Sequence, residues 1–320
     1  LPEKVSILAV LVLYRLPLED STTWKAICKQ VDAALLAQVE IHLLICDNGP
    51  LPIVPPALPA WAEYAGVLEN HGLAWAYNRG LALAKMRGAG WLLTLDQDTS
   101  LPPDYFIRMA REARDVGTEE KIAAIVPQLV SETRSVHSPV LSHWYGEQKI
   151  RSGFSGIADG EVRAFNSGAL VRVSALDAIG GYDARFWMNY LDHSTFYGLQ
   201  QDGSRIWIAG DIQVRHHLSL HEGRDRMSEQ HFHHFSAAES AFRDLHASWF
   251  ERLFFTGRLL LRAINQKRRG DPAHFSETTL CILKQRLLLS RKQRVRRWEA
   301  EVAPMAMDPS QTDQVTGAAS

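Results

Sequence analysis

Along the first two thirds of the chain, short continuous apolar runs alternate with stretches in which apolar residues recur every three or four positions. That is the pattern of buried strands separated by amphipathic helices. Val5 to Tyr14 is the first apolar run, closed by Arg15 and Pro17. From Ser21 onward Trp24, Ile27, Val31, Ala34 and Leu35 share one helical face. Ile41 to Cys46 reads as the second strand and ends in Asp47, Asn48 and Gly49. Strand, helix, strand predicts a right-handed βαβ unit, which brings Tyr14, Arg15, Asp47 and Asn48 to one edge. Prolines 50, 52, 55, 56 and 59 mark a loop. A third strand is expected around Val67-Leu68-Glu69, then a helix from about Gly72 to Gly88, then a fourth strand from Trp91 to Asp96.

Pro102 and Pro103 open another helix, with Tyr105, Met109 and Ala113 on one face. Ile122 to Val130 is a strand. Ser131 to Ser155 has little periodicity and reads as a mobile loop carrying Trp144 and Tyr145 over a cleft, or as a structureless surface excursion. Ala164 to Val171 predicts a strand, Ser174 to Ile179 a short helix stopped by Gly180 and Gly181, and Gly203 to Val214 two short strands. From Ser236, the residues Phe242, Leu245, Trp249, Leu253 and Phe254 form one helical stripe. The expected organisation is an α/β domain over 1–217, with halves of about 1–100 and 101–217, a helical basic subdomain over 218–300, and a flexible tail over 301–320.

A chain of 320 residues with 46% hydrophobic and 22% charged residues can bury a sizeable core, so disorder is not the default. The net charge of -1 conceals an asymmetry, because the segment from Arg258 to Arg297 is strongly basic and has only Asp271 and Glu277 as acids. Such a segment suits an anionic surface. Aromatic stacking positions are not arranged with it, so nucleic acid is not an expected partner. Cys28, Cys46 and Cys281 are scattered and odd in number, which fits a reducing cytoplasm. No basic-then-apolar leader and no long uninterrupted apolar stretch is visible, so neither a signal peptide nor a membrane span is expected.

The candidate chemistry lies where strands end. Asp96 and Asp98 flank Gln97 at the carboxyl end of an apolar strand, where open α/β sheets bind ligands. Two carboxylates at that spacing can hold a hard cation such as Mg²⁺ or Mn²⁺, and equally fit a solvated turn. Asp47 can accept the imide N–H of a uracil or thymine ring, or simply belong to an Asp-Asn-Gly turn. Around Asn70 and Gly72, small residues at a helix start leave backbone N–H groups for an anion.

Taken in order, Asp47-Asn48-Gly49, then Asn70, Gly72, Ala74, Ala76, Asn78 and Gly80 at alternate positions, then Leu95-Asp96-Gln97-Asp98-Thr99, resemble the family 2 inverting glycosyltransferases of GT-A fold, in particular their rhamnosyltransferase branch. The resemblance implies a mixed α/β sheet with a helical C-terminal extension. It implies a nucleotide diphospho-sugar donor, dTDP-rhamnose first and a UDP-sugar (galactofuranosyl or glucosyl) second, and a glycan or lipid-linked oligosaccharide acceptor. A non-catalytic nucleotide-sugar or glycan-binding subunit is the alternative from another class. Tyr14, Arg15, Asp47, Asn48, Asn70, Gly72, Ala74, Asn78, Asp96, Gln97, Ser167 and Gly168 fall on donor-binding positions. Asp96, Asp98 and His216, or its neighbour His217, fall on the Mg²⁺ or Mn²⁺ site.

Asp192 matches the general base, ahead of Asp183 and Asp202, and its other role is a helix cap. Three positions depart from the family pattern: Ser194 stands for a second acid, Gly198 for an Arg, and Asn189 for the acid of the rhamnosyltransferase branch. The further histidines His221, His231, His233 and His234 raise the question of zinc, but have no Cys partner or ligand-like spacing. The implied location is the cytoplasm, peripherally on the inner face of the plasma membrane, with the basic segment on anionic lipid.

Overall fold

The computed structural model describes residues 4–50, 57–117, 119, 121–131, 135–215 and 227–305. It divides into two compact units, one formed by Leu1–Ala184, Leu191–His217 and Met307–Ser320, the other by Arg185–Tyr190 and Leu218–Ala306. Among the described residues no helix is long and apolar enough to cross a membrane.

The first unit runs β1 (Val5–Leu13), α1 (Thr22–Cys28), α2 (Val31–Leu36), β2 (Val39–Asp47), β3 (Ala62–Gly66), α3 (Gly72–Arg87), β4 (Trp91–Asp96), α4 (Tyr105–Asp115) and β5 (Ile122–Val130). It continues with β6 (Val136–Ser138), β7 (Val140–His143), β8 (Gly146–Lys149), β9 (Ser155–Ile157), β10 (Glu161–Arg163), β11 (Ala169–Arg172), α5 (Val173–Ala178), α6 (Leu191–Gln201) and β12 (Arg205–Arg215). Among the described residues the main sheet has nine strands in the order β3-β2-β1-β4-β11-β5-β12-β9, with β6 beside β5. Strands β3, β2, β1 and β4 are mutually parallel, and β11 runs antiparallel between β4 and β5.

Both faces of the sheet are covered, which explains the unbroken apolar runs. Ile7, Ala9, Leu11 and Leu13 of β1 join Leu93 and Leu95 of β4 and Tyr105, Phe106 and Met109 of α4 in one core. On the other face α3 lies so close to β1 that a Cβ at Gly80 would sit 2.2 Å from Val10 Cγ2.

Several expected elements differ in the structure. The helix expected from Ser21 is two short helices, because the chain turns at Lys29 and Gln30, and Leu35 is exposed. The third strand is Ala62–Gly66, ahead of Val67-Leu68-Glu69, because Ala62 to Gly66 are the residues in register with Leu43 to Asp47. The stretch 135–155 is not structureless: β7 and β8 form a hairpin, with Trp144 and Tyr145 at its turn, and β10 completes a second sheet in the order β10-β7-β8. These strands are short and polar, so pairing rather than periodicity defines them. Residues 205–215 form one strand with a bulge between Ala209 and Gln213, not two strands. Gly210 permits it, since a Cβ there would lie 2.0 Å from the Phe154 carbonyl oxygen.

The second unit holds α7 (Glu229–His246), α8 (Trp249–Arg269), α9 (Ala273–Leu288) and α10 (Arg291–Val302). The single stripe expected from Phe242 to Phe254 is broken: α7 stops at Ala247, and Ser248 starts α8 with a capping box to Glu251. Within this unit Asp244 is buried against Arg286 (3.3 Å) and Arg294 (2.7 Å), and Glu239 takes two bonds from Arg262. Part of the basic segment is therefore internal. Of the expected tail, 301–305 continue α10 and its end, while 306–320 lie outside the described residues.

Candidate active site

The parallel register assembles the edge on which the candidate residues sit. Val12 pairs with Asp96 and Leu13 with Asp47, so β1, β2 and β4 deliver their carboxyl ends to one row. With strands about 4.8 Å apart, the two aspartates flank β1 at roughly 10 Å from each other. Tyr14 and Arg15 continue β1 into that row, Arg15 in the left-handed region at φ 54, with its guanidinium 5.0 Å from the Tyr14 ring centre.

Gln97 fixes the turn between the two carboxylates. Its Oε1 accepts from the Tyr14 backbone N–H (2.8 Å), and its carbonyl accepts from Ser21 Oγ (2.7 Å). Thr23 Oγ1 donates to the Asp96 carbonyl (2.5 Å) and accepts from the Thr99 N–H (2.9 Å). The backbone of the motif is thus held from the α1 side, and Asp96 and Asp98 are both half-buried. From the β11 side, Ser167 Oγ meets Thr99 Oγ1 (2.7 Å) and accepts from the Asp96 N–H (3.4 Å). Gly168, at φ 79, donates its N–H to the Thr94 carbonyl and accepts from the Tyr105 hydroxyl (2.5 Å).

Asp47 is buried, with Oδ1 accepting from the Gly49 N–H (2.9 Å) and Oδ2 from the Tyr64 hydroxyl (2.8 Å). Burial first, and then the hydrogen bond to Asp47 and its charge, push the Tyr64 phenol up. Asn48 Nδ2 donates to the Gly72 carbonyl (3.0 Å), which ties the end of β2 to the start of α3. Asn70 Oδ1 accepts the Gly72 N–H, so that amide of the helix start is already bonded within the chain. Ala74 is buried in the packing of α3. Asn78 clamps the backbone of Tyr182 with both ends of its amide, each at 2.8 Å.

Asp192 stands in the first turn of α6. Its Oδ1 accepts from the His193 backbone N–H (2.8 Å) and meets His193 Nδ1 at 2.9 Å. On its other side the imidazole Nε2 is 3.9 Å from Glu147 on β8, and Glu147 also faces Arg163 at 3.7 Å. Burial alone would lower the imidazole pKa, and Arg163 works the same way. The charge of Asp192 and the bonds to Asp192 and Glu147 outweigh both and hold His193 up to about 9. Tyr77 is a buried phenol pushed well above its ordinary range by burial first and then by the charges of Asp96, Tyr182, Asp192 and Cys46.

Tyr77, His193 and Glu147 were not among the candidates read from the sequence. The Asp-His dipeptide at a helix start was a usable signal for His193. Glu147 had none, because it depends on the β7–β8 hairpin. Of the alternatives to Asp192, Asp183 begins the turn before α6 and Asp202 follows its end. His216, His217 and His221 lie outside the described residues. Among the described residues, one trio of potential ligands lies close enough to share an ion: His233, His234 and Glu301, in the helical unit.

No protein-family model matches the sequence, and no curated protein matches it. Among solved structures, the crystal structure of GalNAc-T7 with UDP, GalNAc and Mn²⁺ matches with a TM-score of 0.51 at 11% sequence identity. The match covers 97% of this chain and 58% of that one, so the chain corresponds to a little over half the length of its structural neighbour. The likeness establishes the architecture alone: a mixed α/β sheet of GT-A type.

Proposed function

We propose that the protein is a metal-dependent glycosyltransferase that moves a sugar from a nucleotide diphospho-sugar to a glycan or lipid-linked oligosaccharide acceptor with inversion, the favoured donor being dTDP-rhamnose. The observation that carries this reading is the parallel register that sets Asp47, at the end of β2, and Asp96, at the end of β4, on either side of the β1 end that continues into Tyr14. Asp47, buried at the end of β2, is the acceptor for the imide N–H of the base. Tyr14, Arg15 and Asn48 border the base, and Ser167 and Gly168 back the sugar diphosphate. Asn70, Gly72, Ala74 and Asn78 shape the α3 side of the donor pocket through backbone positions.

Asp96 and Asp98 suit a hard divalent cation, because the bonds that pin Gln97 and Thr99 fix the turn from which both carboxylates project. These two, with His216, would hold Mg²⁺ or Mn²⁺. Held there, the cation would supply electrostatic stabilisation of the departing diphosphate.

Asp192 takes the proton of the acceptor hydroxyl as its oxygen attacks the anomeric carbon opposite the diphosphate. Both bonds from His193 fall on Oδ1, and Oδ2 has no hydrogen-bond partner among the described residues. His193 stays protonated below about pH 9, so the carboxylate and not the imidazole receives the proton. The imidazolium also provides a cation beside the base in a chain that has Gly198 where the family has Arg.

A UDP-sugar donor is the second reading, favoured by the UDP in the GalNAc-T7 structure. A panel of dTDP- and UDP-sugars, assayed for transfer and hydrolysis with Mn²⁺ and with Mg²⁺, decides between them. Turnover restricted to UDP-sugars overturns the dTDP-rhamnose assignment. Nucleotide-sugar binding without turnover on any donor and acceptor leaves a binding subunit instead.

A further inference from the structure

The helical unit carries one apolar face that its own fold leaves open. Phe255, Leu259, Ala263 and Gln266 are the buried residues of α8, and Phe255 and Leu259 pack on Ile282 of α9. On the opposite side of the same helix Trp249, Phe250, Leu253, Leu260, Leu261 and Ile264 are exposed, Trp249 to 71%, Leu253 to 63% and Leu261 to 61%. At about 100° per residue these six occupy an arc of roughly 120° and a length of about 22 Å. A solvent-facing stripe this continuous marks a contact surface. Gly257 falls inside the arc and adds no polar group.

The charges beside the stripe are of one sign. The last turn of α8 presents exposed Lys267, Arg268 and Arg269, and Arg258 is exposed midway. The one acid on the helix, Glu251, is held by the Ser248 N–H in the capping box. Internal pairing removes Arg262, Arg286 and Arg294 from the exposed cations but leaves these four. Leu261 and Arg258 also line a cavity of about 590 Å³ walled by Phe232, Phe235 and Phe275.

We propose that this face of α8 docks on a lipid bilayer bearing anionic headgroups. The leucines, Phe250 and Ile264 enter the boundary between headgroups and acyl chains, Trp249 sits at headgroup level, and Lys267, Arg268 and Arg258 meet lipid phosphates. Charge complementarity favours this occupant over a second copy of the chain, which would set a basic surface against itself. The inference concerns the helical unit alone and is independent of the sugar-transfer chemistry.

Co-sedimentation of the full chain with vesicles of phosphatidylcholine alone, and of phosphatidylcholine mixed with phosphatidylglycerol, tests it. The expected result is binding to the mixed vesicles that weakens with salt. Leu253→Glu with Leu260→Glu should reduce that binding at least tenfold. Lys267→Ala and Arg268→Ala should each reduce it about fivefold, the equivalent of about 1 kcal/mol per cation near an anionic surface. All four positions are exposed, so unchanged circular dichroism and melting are the control for folding. Absence of vesicle binding, or binding that the glutamates leave intact, overturns the proposal. A concentration-dependent dimer in sedimentation velocity that the glutamates dissolve, without vesicle binding, assigns the face to self-association instead.

Discussion

In Asp192 and His193 one dipeptide joins the proposed proton acceptor to an imidazole whose pKa is raised by the fold. Asp192→Asn keeps the shape and both lone-pair directions of one oxygen but removes the proton acceptor. The expected outcome is a fall in kcat of about a hundredfold to ten-thousandfold with donor affinity nearly unchanged, measured by initial rates and by nucleotide-sugar titration. His193 has its pKa raised on folding, from an ordinary value near 6.5 to about 9. Its contribution to stability is therefore complete below about pH 6.5 and is lost as pH rises through about 9. Melting curves of the wild type should shift down by several degrees between pH 7 and pH 10, and those of His193→Gln should shift less over the same window. Equal shifts in the two proteins would remove His193 as the responsible group. Asp98→Ala should weaken nucleotide binding in the presence of Mn²⁺ and change it little in the presence of a chelator, a difference that calorimetry reads directly.

Single elements carry the constraints that hold these residues in place. Helix α3 can lie against β1 only because residue 80 has no side chain. Gly80→Ala brings its Cβ onto Val10 Cγ2 and should cost about 1–3 kcal/mol in denaturant unfolding. Adding Val10→Ala should recover part of that loss, because the clash is with that side chain. The same helix carries Asn78, which satisfies the Tyr182 backbone on both sides. Of the alternating small residues from Gly72 to Gly80, Ala74, Ala76 and Gly80 are therefore packing positions. Periodicity alone cannot separate packing positions from pocket positions, since a small residue is needed wherever backbone approaches anything closely. Pairing likewise decided the β7–β8 hairpin, whose strands of Ser, His, Glu and Gln have no apolar alternation to read.

For the molecule as a whole, the acid-base content of the helical unit separates into two parts. Asp244 is buried between Arg286 and Arg294, and Asp244→Asn leaves Arg286 charged and buried without its counter-ion. The expected loss is about 3–5 kcal/mol, visible as an earlier denaturant midpoint, whereas neutralising exposed Lys267 or Arg268 should leave the midpoint in place. The sequence by itself determined the alternation of buried strands and amphipathic helices, the edge that gathers Tyr14, Asp47 and Asp96, and the presence of a basic helical extension. These are properties of local period and chain order, and a parallel βαβ unit has only one common hand. Tertiary structure alone decided that β11 runs antiparallel between β4 and β5, and that Glu147 reaches His193. It also decided which arginines are internal and which face of α8 is left open. A capping box at Ser248 broke the stripe expected from Phe242 to Phe254, and left Trp249 and Leu253 exposed. Contacts between residues far apart in the chain arise from pairing and packing energies that no local pattern records, and burial divides charges of one sign into structural and solvent-facing sets only once partners are in place.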